Sequence, residues 1–253
     1  MASKNDTNSS LMIEPLKQGR VTLRIIGQTP MYFNAMSNKA KRTLLLGGGK
    51  KTASEKKEIK HDPEQEFHDS TYRTQIGQTL LCFPAPGIKN AMATAALVTD
   101  GVKKTDVQRL IFLPQEKVSI WGKPFLKMDV VRSADMNKTP DVRTRAFLPR
   151  WAAEVDIAFV TPTLSIHAVA HLLSNAGIVC GLGDFRQEKG KGSYGTFALY
   201  NETDEKHVAL WNELTTTEAR DCQEAAMEKP ETCDDETREL WAMLRQERIR
   251  RAA

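Results

Sequence analysis

Two helix-like stretches, each set between strand-like runs, constrain the fold of this chain most. GIKNAMATAALVT is Ala-rich, opens after Pro86-Gly87 and reads as a helix. TLSIHAVAHLLSNAG places Ile166, Val169, Leu172, Leu173 and Ala176 on one helical face, with Gly177 at the expected C-cap. RVTLRIIG (20–27) alternates as a strand does, and TQIGQTLLCFPAPG gives another before the first helix. VQRLIFLP, KVSIWG, FLKMDVVRSADM and a strong strand from Ala153 to Val160 lie between the helices, and YGTFALY follows the second. The order strand, helix, strands, strand, helix, strand predicts an α+β fold. It is the split βαβ pattern of a ferredoxin-like or RRM-like antiparallel sheet with helices on one face.

Three segments fall outside this frame. Residues 1–19 are polar, lack an apolar signal core and read as a disordered tail. Residues 37–71 read as a long basic insertion, exposed and mobile rather than core. Residues 201–253 read as an acidic, mostly helical C-terminal segment, leaving 20–200 as the central domain. DDETRELWAMLRQERIRR carries acids in its first turn and arginines in its last, as the helix dipole favours.

The formal net charge of +4 is unevenly spread. Residues 201–244 hold 13 acidic and 4 basic side chains, and the last nine hold four Arg and one Glu. The first 200 residues therefore carry +10. Within them, Lys39 to His61 holds eight Lys or Arg against two Glu. A basic body of this kind implies a polyanionic partner, nucleic acid above all; charge kept for solubility is the plainer alternative. No apolar run approaches the roughly 18 residues of a membrane span, so no membrane partner is expected. Cys82, Cys180, Cys222 and Cys233 show no CxxC pair, which implies reduced thiols and a cytoplasmic location.

Several motifs test more specific chemistry. LLLGGGKKT fails the P-loop pattern, because no glycine stands five residues before Gly49 and Lys51 separates Lys50 from Thr52. CGLGDF fails GxGxxG, because Arg186 holds the third glycine position. His167 and His171 have helical chelate spacing, but no third ligand is evident. No cofactor and no metal are expected. Between 181 and 197, GLGDFRQEKGKGSYGTF packs five of the chain's fifteen glycines, Gly181, Gly183, Gly190, Gly192 and Gly195, among Arg186, Lys189 and Lys191. Glycine lets a second backbone approach closely, so the stretch is either a cradle for phosphates or a solvated basic hairpin. Arg132, Arg143 and Arg145 flank the NKTPD turn and form a further basic element.

Taken in order, these elements resemble the RAMP superfamily, and within it the repeated backbone subunits of CRISPR effector complexes. FPAPGIKNAMATAAL is similar to that group's P-G-S-S-x-K-G-x-x-R element, with Pro86, Gly87 and Lys89 in place. VVRSADMNKTPDVRTRAFLPRWAAEVDIAFV resembles its R-(V/I)-x-x-D-x-x-T-G hairpin and following strand. LLSNAGIVCGLGDFRQEKGKGSYGTF resembles its helix and G-x-G-x-x-R-S-x-G-x-G loop, and the basic insertion sits where those proteins carry a thumb-like segment. The departures are Asn90 for the glycine after Lys89, Ala93 or Thr94 where the helix arginine is expected, and Gln, Glu and Lys after Arg186. The resemblance covers about residues 20–200.

It implies a subunit that binds single-stranded guide RNA along its backbone and stacks head to tail with copies of itself in a helical filament. Other effector subunits are a further class of partner, and single-stranded DNA is an alternative ligand. Glycines 181, 183, 190 and 192 would admit phosphates to main-chain N–H groups. Lys89, Arg132, Arg143, Arg145, Arg186, Lys189 and Lys191 would supply charge, as would Lys41, Arg42, Lys50 and Lys51 on the insertion. Two other readings stand beside this one. In the first, an endoribonuclease of the same superfamily would draw on His61, Asp62, His68 and Asp69. In the second, a protein-binding decoy or accessory module keeps the fold without the RNA site.

Overall fold

The computed structural model describes residues 15–47, 61–132, 139–189 and 192–252. Lys50, Lys51, Gly190 and Lys191 lie outside the described residues, as do most of the presumed tail and the centre of the insertion. The architecture is α+β, with antiparallel sheets and helices packed around them.

The main sheet grows from β1 (Lys17–Gly27) and β8 (Ala152–Thr161), which pair antiparallel along almost their whole length. Their alternation sorts the two faces. Val21, Leu23 and Ile25 lie opposite Ile157, Val155 and Ala153 on the helix side. Thr22 and Arg24 lie opposite Asp156 and Glu154 on the other face, where Thr22 donates to Asp156 at 2.6 Å and Arg24 pairs with Glu154 at 3.1 Å. β3 (Cys82–Pro84), β5 (Lys117–Trp121) and β9 (Phe197–Leu199) complete the order β3-β5-β8-β1-β9, and β4 (Ile111–Phe112) also pairs with β8. A smaller sheet runs β2-β7-β6, from β2 (Met31–Tyr32), β7 (Pro140–Leu148) and β6 (Phe125–Arg132). β6 and β7 form the hairpin expected around the NKTPD turn.

Most of the helices follow from short signals. Asn38–Leu46 (α1) is capped by Ser37, whose hydroxyl accepts from the Ala40 amide. Pro63–Asp69 (α2) has Asp62 at the N-cap and Pro at its first position. Ala85–Ala95 (α3) buries Ile88, Ala91, Met92 and Ala95, an i, i+3, i+4, i+7 face. Lys104–Leu110 (α4) is a helix where VQRLIFLP promises a strand, and only Ile111–Phe112 extends. The apolar run misleads because its strand-like half is a two-residue edge. α6 (Glu205–Leu214) and α7 (Ala219–Glu228) belong to the C-terminal segment.

The second long helix, α5 (Ile166–Val179), runs past Gly177. That glycine is helical, and the backbone of Phe197 passes against it: an added Cβ would sit 2.0 Å from the Phe197 carbonyl oxygen. The helix is closed by Cys180 and by Gly181 at φ +69°.

Both outlying segments contribute to the core. The insertion is not uniformly exposed: α1 buries nothing, but Phe67 of α2 is fully buried in the core and Ser70 donates and accepts beneath β7. A single Phe in a polar run carries too little periodicity to announce a packed helix. The acidic C-terminal segment is likewise integral. Trp211 of α6 seats against Ile26, Trp121 and Ala152. Gln223 of α7 is buried and bridges the Leu80 and Leu81 amides to the Ile120 and Gly122 carbonyls. The last helix, α8 (Asp235–Ala252), lies along β6, where Thr237 accepts from the Met128 amide and Trp241 enters the main core.

Candidate nucleic-acid interface

The glycine-rich stretch doubles back on itself. The Leu182 amide donates to the Gly195 carbonyl at 2.9 Å, and the Asp184 amide donates to the Tyr32 carbonyl at 3.0 Å. Gly183 and Gly195 hold φ of +85° and +72°. A Cβ on Gly183 would meet the Tyr32 carbonyl oxygen at 2.3 Å, and one on Gly195 the Leu182 oxygen at 1.8 Å. Gly192 lies equally close to Phe185. The close approaches these glycines permit are made by the protein's own backbone. Lys189 ends a 3-10 turn, Gln187–Lys189.

Arg145 fastens this loop to the hairpin. Its side chain is 3% exposed and pairs with Asp184 at 2.7 Å and with Asp129 at 3.0 Å. The guanidinium lies 4.7 Å from the Tyr32 ring centre and 4.3 Å from that of Phe185. Tyr32 in turn donates to Asp129, and burial together with that carboxylate raises its phenol well above the usual range. The sequence reading puts Arg145 on the RNA surface. The structure corrects it: the charge is compensated by two carboxylates inside the fold. Arg186 is half-buried and pairs with Glu188 at 2.8 Å while donating to the Gly183 carbonyl. It borders a shallow depression with Asn34, Tyr72 and Phe83. Glu188 also accepts from Thr94 of α3, so the P-G-K element and the glycine loop are neighbours. Lys89 stands on that helix with its ammonium 5.3 Å from the Phe112 ring centre.

The cations that remain exposed lie elsewhere. α1 presents Lys39, Lys41 and Arg42 with no acidic residue in the helix, and none of the three is ion-paired with a described residue. Arg132 and Arg143 are exposed on the hairpin. Register separates these two: Arg143 lies opposite Asp129, whereas Arg132 lies opposite Pro140 and points to the other face. Arg143 and Lys39 both line a cleft of about 820 Å³ between α1, α2 and the first half of β7. Lys39 escapes sequence reasoning as a site residue because nothing marks it apart from the other lysines of its run.

The same cleft holds His61 and Asp62. His61 Nδ1 lies 2.9 Å from Glu66 and Nε2 lies 3.2 Å from Asp141, so both ring nitrogens are engaged by carboxylates. Glu66 and Asp141 complete an arrangement that spacing does not reveal, since Asp141 comes 80 positions after His61 in the chain. With both nitrogens engaged, the imidazole bridges α2 and β7. Asp62 pairs with Arg248 of α8 at 3.3 Å, and Asp69 accepts from Asn38 and Gln65. Burial, then Arg73, holds His68 below its usual value. His167 and His171 are exposed on α5, and no described group of side chains could hold a metal ion. Among the described residues all four cysteines are free, with burial raising the thiols of Cys82, Cys180 and Cys233. No helix of the described residues is long and apolar enough to cross a membrane.

No family model matches the chain, and no curated protein does. Solved structures do. One belongs to "Cryo-EM structure of the Type III-B Cmr-beta bound to cognate target RNA", at 14% identity and a TM-score of 0.40, covering 73% of this chain and 60% of that one. Another is Cmr6 from Pyrococcus furiosus, at 9% identity and a TM-score of 0.38, covering 73% of this chain and 98% of that one. The chain thus spans about 60% of the length of the first.

Proposed function

We propose that this protein binds single-stranded RNA along its sugar-phosphate backbone. It would act as a repeated backbone subunit of a CRISPR-effector-like ribonucleoprotein in the cytoplasm, assembling on guide RNA with copies of itself and with other subunits. The observation that carries this reading is α1: three exposed cations, none ion-paired with a described residue, on one nine-residue helix without an acid, of which Lys39 lines the same cleft as Arg143. Exposed cations without partners bind phosphates with little desolvation cost, and the resulting affinity is electrostatic and poor in sequence readout. Arg132, Lys89 and Arg186 would extend this surface; Lys50, Lys51, Lys189 and Lys191 are further proposed contacts by their place in the sequence. The order β9-β1-β8-β5, with α3 and α5 as the connecting helices, supports a ferredoxin-like, RRM-like split βαβ core.

The test is fluorescence anisotropy with labelled single-stranded RNA across a salt series. Replacing Lys39, Lys41 and Arg42 together with Ala leaves the core untouched, because α1 buries nothing. Each phosphate contact on a single strand contributes about 0.7 to the slope of log affinity against log salt. The triple variant is expected to lose about two units of slope. An unchanged slope would remove α1 from the interface, and no RNA binding at low salt would remove the reading.

A further inference from the structure

A depression of about 240 Å³ lies where the glycine-rich loop meets the chain that follows α2. It is smaller than the roughly 300 Å³ at which sites for whole drug-sized ligands begin, and so suits a single ring system. Its apolar lining is Tyr72 and Phe83, packed edge-on with 6.0 Å between ring centres. Asn34, Asp184 and Arg186 supply the polar lining. The charges are matched, Asp184 with Arg145 and Arg186 with Glu188, which favours a neutral ligand over a phosphate. Hydrogen-bonding capacity nevertheless remains among the described residues. The Asn34 amide and the Tyr72 hydroxyl make no hydrogen bond. Asp184 gives Oδ2 to Arg145 and keeps Oδ1, and Arg186 donates through Nε and Nη1 and keeps Nη2. Unstacked RNA bases are held by this combination, with a ring or guanidinium against the base plane and polar groups at its edge. Asn34 also lines the cleft beside α1, so the two are contiguous, and a strand held by the α1 cations has its bases within reach of the depression.

We propose that this depression takes one base of the bound RNA, guanine in preference to the others. Guanine alone among the four RNA bases presents two adjacent donors, N1–H and N2–H, and a flanking acceptor, O6, on its Watson–Crick edge. Asp184 Oδ1 and the Asn34 carbonyl would accept from the donors, and Arg186 Nη2 would donate to O6, with the Tyr72 ring against the base. The site rests on the reading of the chain as RNA-binding, and it adds base selection to a contact that is otherwise indifferent to sequence.

Fluorescence anisotropy on the full chain tests this with labelled uridine oligonucleotides that carry guanine, adenine or hypoxanthine at every second position, and with uridine alone as the reference. The guanine strand is expected to bind about tenfold more tightly than the adenine and all-uridine strands, the scale of one good bidentate base contact. The hypoxanthine strand lacks the 2-amino group and should fall between them. Asn34 is exposed, so Asn34→Ala folds, and it should reduce the guanine preference to about threefold. The hypoxanthine strand probes the same contact from the ligand side and needs no variant. Equal affinity for all four strands, a preference for adenine, hypoxanthine bound as tightly as guanine, or a guanine preference that Asn34→Ala leaves intact overturns the proposal. Binding that ignores the base but still weakens with salt removes the guanine site alone. No binding of any strand at low salt removes the backbone reading and the guanine site together.

Discussion

Arg145 shows how burial decides the meaning of a basic residue. In the sequence it stands two positions from Arg143, and the two look interchangeable. On β7 both point to the same face, but Arg143 is exposed while Arg145 is enclosed by Asp129, Asp184, Tyr32 and Phe185. Removing the cation leaves two carboxylates facing each other with the stacked rings unsupported. Arg145→Ala is therefore expected to cost about 3 kcal/mol in chemical unfolding. Arg145→Lys should cost less, because it keeps the charge but loses the fork and the stacking. A variant of native stability that no longer bound RNA would instead make Arg145 a ligand residue. The same contrast explains what the sequence conceals here: charge and proximity to a turn are legible, but the two acids that neutralise Arg145 lie 16 and 39 positions away.

Elements in this chain are held at their ends. Asp234 caps α8 by accepting from the Thr237 amide at 2.9 Å, and it also receives the Lys127 ammonium of β6. Burial opposes ionisation of Asp234, but the Lys127 and Thr237 hydrogen bonds outweigh it and hold the carboxyl at about 2. Because the folded value lies below the ordinary one, this group contributes stability above the ordinary carboxylate range and loses it as pH falls through about 2. Wild type should therefore be more stable than Asp234→Asn near neutrality, and the urea midpoints should converge between about pH 4 and pH 2. Midpoints that stay parallel would contradict the staple. Helices α3 and α5 and the β6–β7 hairpin are legible because their apolar spacing repeats over several turns or strand positions. α2 and α4 are not, since each buries one or two side chains, and a seven-residue helix with a single Phe67 or Val107 has no period to read. The glycine loop is visible in the sequence, but its glycines there suggest a ligand, whereas Gly183 and Gly195 admit Tyr32 and Leu182.

At the scale of the whole molecule, the basic body and the acidic C-terminal segment are not opposite ends of a flexible chain. The acidic helices pack on the body through Trp211, Gln223, Thr237 and Trp241. They leave the cations of α1 and of the hairpin, which have no ion-pair partner among the described residues, exposed. This partition is half legible: the count of charges locates the two regions, and nothing in the count says that one folds onto the other. The central claim is assembly along RNA. Its most direct measurement is size-exclusion chromatography with light scattering on the purified protein, with the nucleic-acid and protein absorbance recorded before and after ribonuclease. The account predicts particles that carry RNA, grow with the length of added single strands and collapse to smaller species on digestion. A nucleic-acid-free monomer that ignores added single-stranded RNA at low salt would contradict it.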